Sequence, residues 1–87
     1  MLTVTEAAGG YLSDVLDKSN APAETAVRLN VGPDGLSAAI DEARSGDTAY
    51  DHDGRKVLLL DERASEALAD RTLDLQQTPD GERLGLR

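Results

Sequence analysis

The sequence predicts an α+β fold: small, mostly antiparallel β-sheets with two helices, in a single domain spanning residues 1–87. Three observations predict it. Apolar residues recur at helical spacing from Ala8 to Leu16. Asp53-Gly54 sits between two extended runs and reads as a type I′ hairpin turn. Most of the remaining chain alternates apolar and polar residues in short runs, the period of half-buried strands. Runs of strands with helices at only two places point to α+β rather than to alternating parallel units.

The elements follow in order. Leu2 to Val4 reads as a short strand. Thr5 then offers a hydroxyl to an orphan helix N–H, and Glu6 suits the positive end of the helix dipole. Ala8, Tyr11, Leu12, Val15 and Leu16 form one helical face. Gly9 and Gly10 interrupt it at a cost of about 1 kcal/mol each against Ala. No strand–glycine–helix fingerprint surrounds them, so they predict a close helix-to-sheet contact rather than a phosphate loop. Asn20-Ala21-Pro22 ends the helix, because the residue before Pro avoids the helical region.

Ala26 to Val31 predicts a half-buried strand with Val27, Leu29 and Val31 on one face. Gly32-Pro33-Asp34-Gly35 is a turn by composition. From Leu36 to Ala43, the alternation of Leu36, Ala38 and Ile40 favours a strand over a helix. Thr48 to His52 and Arg55 to Leu60 flank the Asp53-Gly54 turn. Asp61 caps a short helix whose face is Ala64, Ala67 and Leu68. Thr72 to Gln77 and Arg83 to Leu86 are the last strands, joined by Pro79-Asp80-Gly81.

Composition restricts the function. The chain has 87 residues and no Cys, which excludes thiolate nucleophiles, disulfides and thiolate-held metal. Tyr11 and Tyr50 are its only aromatics, so the core must be aliphatic. Seventeen Asp and Glu against nine Lys and Arg give a net charge of −8. Such a surface repels phosphate backbones and anionic lipid, so neither nucleic acid nor membrane is an expected partner. A protein partner is expected, a basic one if charge selects it. A small aliphatic core with exposed strand edges also makes a homodimer reasonable. No basic-then-apolar leader is visible at the N-terminus and no run approaches the roughly 20 residues of a membrane span, which predicts a cytoplasmic address.

Candidate chemistry is sparse. His52, the only imidazole, lies between Asp51 and Asp53. Successive strand side chains point to opposite faces, and one His does not supply a zinc ligand set, so a solvated turn is expected. Asp51, Asp53 and Glu62 match three positions of a calcium loop, but Lys56 stands where Gly is required and Val57 to Leu60 reads as core strand. Asp41, Glu42 and Asp47 are expected to be solvated near a loop. Ser37 follows Gly35-Leu36 but lacks the second glycine of a nucleophile elbow. The expectation is a non-enzyme with no cofactor, catalytic residue or metal ligand. A small-molecule or metal module using carboxylates and His52 is the alternative, and a paired-carboxylate enzyme ranks below it.

The ordered elements resemble the A-type iron–sulfur assembly family, the HesB/IscA-like domains. Leu2-Thr3-Val4-Thr5-Glu6-Ala7-Ala8 is similar to the family's strand and Thr-capped helix. Val27-Arg28-Leu29-Asn30-Val31 is similar to its second strand, leading into Gly35-Leu36-Ser37. Tyr50 to Leu59 resembles its acidic hairpin and aliphatic strand. Leu60-Asp61, Leu68 and Leu73-Asp74-Leu75 resemble the segments that follow. The resemblance implies a β-sandwich scaffold. It also implies three cysteine ligands, one in the turn after the second strand and two in a Cys-Gly-Cys tail. Leu36 stands where the first is expected, and this sequence ends at Arg87 before the tail. A thioether-free aliphatic side chain offers a metal no lone pair. The resemblance therefore implies a degenerate member without cluster ligands, acting as an accessory or regulatory protein-contact module. Gly35, Leu36 and Ser37 are its candidate contact residues.

Overall fold

A computed structural model describes residues 1–33 and 35–87. Among them the order is β1 (Thr3–Val4), α1 (Glu6–Lys18), β2 (Thr25–Gly32), β3 (Gly35–Glu42), β4 (Thr48–His52), β5 (Arg55–Leu60), α2 (Glu62–Ala67), β6 (Thr72–Thr78) and β7 (Gly81–Leu86). The predicted order and type of every element hold. Asp34, in the predicted Gly32–Gly35 turn, lies outside the described residues.

Local chemistry sets the helix ends. The Thr5 hydroxyl accepts from the Ala8 amide at 3.2 Å and donates to Asp74 at 2.8 Å, so it caps α1 and ties it to β6. At the other end Asn20 takes φ +52°, a left-handed conformation that Asn tolerates. The Asn20 amide donates to Asp17 O and the Ala21 amide to Leu16 O, the paired bonds of a Schellman stop. Asp61 caps α2 through the Ala64 amide at 2.8 Å. On α2 only Ala64 is buried; Leu68 is buried just beyond it, and Ala67 faces outward, contrary to the predicted face.

The strands form two sheets, ordered β1-β6-β7 and β3-β2-β5-β4. Hairpin ladders β2–β3, β4–β5 and β6–β7 are antiparallel, while β1–β6 and β2–β5 pair in parallel over two positions each. The sheets are thus mixed, with the antiparallel ladders the longer ones. Asp53 and Gly54 take φ of +53° and +79°, as a type I′ turn requires, and set His52 opposite Arg55.

The core lies between the sheets, around α1. Leu12 and Leu16 meet Leu58, Leu60, Val27, Leu29 and Leu73 there. Each such side chain contributes about 1.5–3 kcal/mol by leaving water. Strict alternation would have turned Val57 away from Leu58. A register shift on β5 opposite Tyr50 and Asp51 leaves Val57 without a cross-strand partner, and both Val57 and Leu58 join the core. Residues Thr25 to Leu29 are all buried, so the first part of β2 is covered on both faces rather than half-buried.

Candidate functional site

Three places carry the residues singled out in the sequence. The first is the β2–β3 hairpin. Gly35 opens β3 at φ +112°, a conformation that disfavours any side chain. It pairs with Gly32, and from there the ladder sets Leu36 opposite Val31, Ser37 opposite Asn30, Ala38 opposite Leu29 and Ile40 opposite Val27. Partners across a ladder share a face, so Leu36, Ala38 and Ile40 extend the apolar face of β2. Their predicted alternation is real, but β2 alone borders β3 and the stripe stays in solvent: Leu36 is 38% and Ile40 40% exposed. Gly35, Leu36 and Ser37 lie at the open end of an edge strand.

The second place is behind β2, at Arg28. Its side chain is only 8% exposed and every nitrogen is engaged. Nε donates to Asp41 at 2.8 Å, Nη1 and Nη2 grip both oxygens of Asp47 at 3.0 and 2.7 Å, and Nη2 also reaches the Glu42 carbonyl. The Arg44 backbone amide adds a 2.7 Å bond to Asp47, and its guanidinium pairs with Asp41 at 3.0 Å. The hydrogen bond from Arg28 is the largest cause holding Asp47 down at about 2, and it also lowers Asp41. The same bonds raise the guanidinium, Asp47 foremost, against the opposing effect of burial. Asp47 was expected in solvent. Its side chain is 5% exposed instead, because a buried guanidinium demands carboxylate partners. This group is a structural latch that closes the β3–β4 connection over β2. Both carboxylates in it are engaged by the Arg28 guanidinium.

The third place is His52. It was also expected to be solvated, yet its side chain is only 18% exposed. The reason is Gly9: a Cβ there would stand 2.7 Å from His52 Nδ1, so the missing side chain makes the seat for the imidazole. The predicted close approach at Gly9-Gly10 is thus a helix-to-β4 contact. His52 Nε2 lies 3.4 Å from Asp53. A shallow recess beside it is lined by Thr5, Glu6, Gly9, Tyr50 and Asp53. The Tyr50 hydroxyl is buried without a well-formed hydrogen bond, and burial raises its pKa against a smaller lowering by the nearby Leu2 backbone. Among the described residues, no three His, Asp or Glu side chains converge as metal ligands would.

Arg28 and Tyr50 are the polar groups that sequence reasoning missed, and Asp47 is the one it placed wrongly in solvent. One signal was present for the first: an arginine set inside the aliphatic run from Ala26 to Val31. Tyr50 gave none.

Two mixed sheets around a Thr-capped helix, with an exposed glycine hairpin after the second strand, define an A-type iron–sulfur assembly fold, HesB/IscA-like. Solved structures make the likeness specific. The chain matches the crystal structure of Escherichia coli SufA, described as involved in biosynthesis of iron–sulfur clusters, with a TM-score of 0.74 and 22% identity over 99% of this chain and 83% of that one. It matches the solution structure of a protein from Aquifex aeolicus with a TM-score of 0.70 and 23% identity, over 99% and 89% of the two chains. The crystal structure of IscA with a 2Fe–2S cluster gives 0.65 and 17%, over 100% and 81%. At these identities the shared property is the fold. No protein-family profile matches the chain, and no curated protein matches it significantly. Among the described residues, no helix is long and apolar enough to cross a membrane.

Proposed function

We propose that this chain is an A-type scaffold that works by contact with another protein, without catalysis and without carrying a cluster. The observation that supports this is Leu36. On the turn where the resemblance expects the first thiol, an exposed leucine stands among Val31, Ala38 and Ile40, and the chain has no cysteine anywhere. Iron–sulfur clusters are held by cysteine thiolates with occasional histidine. The residues present do not fit that group, so no step is routed through one. The contact surface in this reading is the hairpin at Gly35, Leu36 and Ser37, with the acidic surface favouring a basic partner elsewhere on the chain. The reading takes the cytoplasm as its compartment.

Anaerobic reconstitution with ferrous iron and sulfide tests it. After desalting, the protein is expected to retain no visible chromophore and no stoichiometric iron. A stable colour with iron and sulfide in fixed ratio to protein would overturn the proposal.

A further inference from the structure

Three Asp-Gly pairs occur in the chain: Asp34-Gly35, Asp53-Gly54 and Asp80-Gly81. In such a pair the glycine nitrogen can attack the aspartate side chain, because glycine has no Cβ to crowd the ring that forms. Asp34 lies outside the described residues, which leaves two pairs to compare. Asp53 and Asp80 are both exposed, so access to water does not distinguish them. Nothing stands within 4 Å of a Cβ built on Gly54 or on Gly81, so the ring has room at both. The hold on the backbone is what differs.

Gly81 lies inside its ladder. It pairs with Thr78 at the end of six consecutive β6–β7 positions without a shift, and the Thr78 hydroxyl donates to its carbonyl at 2.7 Å. Gly54 lies outside its ladder, between the ends of β4 and β5. Only two positions, His52–Arg55 and Asp51–Lys56, join those strands before the register shift at Tyr50. Arg55 also reaches Asp17 on α1 at 2.6 Å, but an ion pair this exposed adds little. A two-position tip set off by a bulge opens locally at lower cost than the end of a continuous ladder. His52 adds a reactive group. Gly9 receives the Nδ1 side of the imidazole, and Nε2 lies 3.4 Å from an Asp53 carboxylate oxygen. A proton donor at that oxygen helps it leave. His52 is the only imidazole in the chain, so Asp80 has no counterpart.

We propose that Asp53-Gly54 is a self-modification site that converts to isoaspartate, with His52 as the proton donor. Once the turn opens, the Gly54 nitrogen forms a bond to Asp53 Cγ. One Cγ–O bond breaks, and that oxygen leaves as water with the amide proton and a proton from the imidazolium. Solvent reprotonates His52, and water then adds to the cyclic imide. Breaking the Cγ–N bond restores aspartate. Breaking the bond between the nitrogen and the main-chain carbonyl carbon leaves the backbone running through Cβ, with the α-carboxylate free. The product adds a methylene to a two-residue turn, which type I′ geometry does not accommodate. The end of β4, and His52 with it, then loses its fixed place against Gly9.

The test is incubation of the purified chain at neutral pH and physiological temperature, followed by trypsin. Peptides 45–55 and 72–83 carry the two sites separately, and electron-transfer fragmentation distinguishes isoaspartate from aspartate in each. In the folded protein, isoaspartate is expected to accumulate at Asp53 at least about fivefold faster than at Asp80. In urea, where neither ladder stands, the two rates should converge. Equal rates in the folded chain, or the same ratio in urea, would overturn the site. His52→Gln, checked for folding by circular dichroism, should slow the reaction at Asp53 at least about threefold and leave Asp80 unchanged. A folded H52Q that isomerises at the parent rate would overturn the role given to His52. The comparison of folded and urea-treated parent chain decides the site whether or not that variant folds.

Discussion

Asp47→Asn isolates the latch over β2. The substitution keeps the shape of the side chain and removes the charge that Arg28 grips with two bonds. Asp47 is lowered from its ordinary 3.8 to about 2, chiefly by that hydrogen bond. A carboxyl held so far down would correspond to about 2.5 kcal/mol of preferential stabilisation of the ionised folded state. The side chain is nearly covered, but only by a surface connection in a small domain, so water still screens the pair. We therefore expect about 1–2 kcal/mol. The buried guanidinium left short of a partner argues against a smaller cost.

The sign of the pH dependence follows from the depressed folded-state value. Above about pH 4 the carboxylate is ionised in folded and unfolded chains alike, and its full contribution is present. As pH falls from there through about 2, the unfolded chain takes up its proton first and the contribution is lost. Below both values it is gone. Urea denaturation followed by circular dichroism, repeated from pH 7 to 2, measures this directly. At pH 7 the variant should unfold roughly 5–10 °C lower in a parallel thermal scan. The gap to the unmodified protein should stay constant down to about pH 4 and close towards pH 2. A variant as stable as the parent at pH 7, or a gap that persists unchanged at pH 2, would refute the latch.

Two further substitutions probe how the helix is seated. Gly9→Ala places a methyl 2.7 Å from His52 Nδ1, closer than packed atoms tolerate, so it should destabilise the fold by about 1–3 kcal/mol despite raising helix propensity. Adding His52→Ala should recover part of that loss, and additive costs in the double-mutant cycle would rule out the contact. Thr5→Ala removes both the cap of α1 and its bond to Asp74, at an expected cost of about 1–2 kcal/mol, while Thr5→Ser should cost much less. Chemical denaturation of the three proteins distinguishes these outcomes.

What was legible in the sequence was local. Thr5 and Asp61 announce helix starts because a cap is made within three residues. Asp53-Gly54 announces a hairpin because both residues tolerate positive φ. The aliphatic alternation of Leu36, Ala38 and Ile40 announces a strand. What was not legible depends on neighbours far along the chain. Nothing in Val27-Arg28 shows that it pairs in parallel with Leu58-Leu59. Periodicity turns Arg28 away from Val27 and Leu29, and that much is correct. It does not show that Asp41 and Asp47, thirteen and nineteen residues on, close over it. Asp47 and His52 were expected in solvent because each was read beside its chain neighbours. Their burial comes from Arg28 and from Gly9, partners that only the fold supplies. The apolar stripe of β3 raises the reverse problem. Its period suggests a buried face, and only its place at a sheet edge shows that one chain alone leaves it open.

That division explains how a fold shared with SufA and IscA can form in a chain without cysteine. Among the described residues, none of the buried core lies between Gly32 and Ile40. The hairpin tip is therefore held by its own ladder and, at its base, by the Arg28 latch. A change of side chain at Leu36 removes no core packing, so the fold places little demand on what stands there. A single exposed leucine is ordinary, but Val31, Leu36 and Ile40 together leave an exposed apolar patch that no core packing explains. In the contact reading proposed above, that demand comes from the partner. It follows that substitutions at Leu36 and Ile40 should change association far more than stability, whereas those at Arg28 and Asp47 should do the opposite.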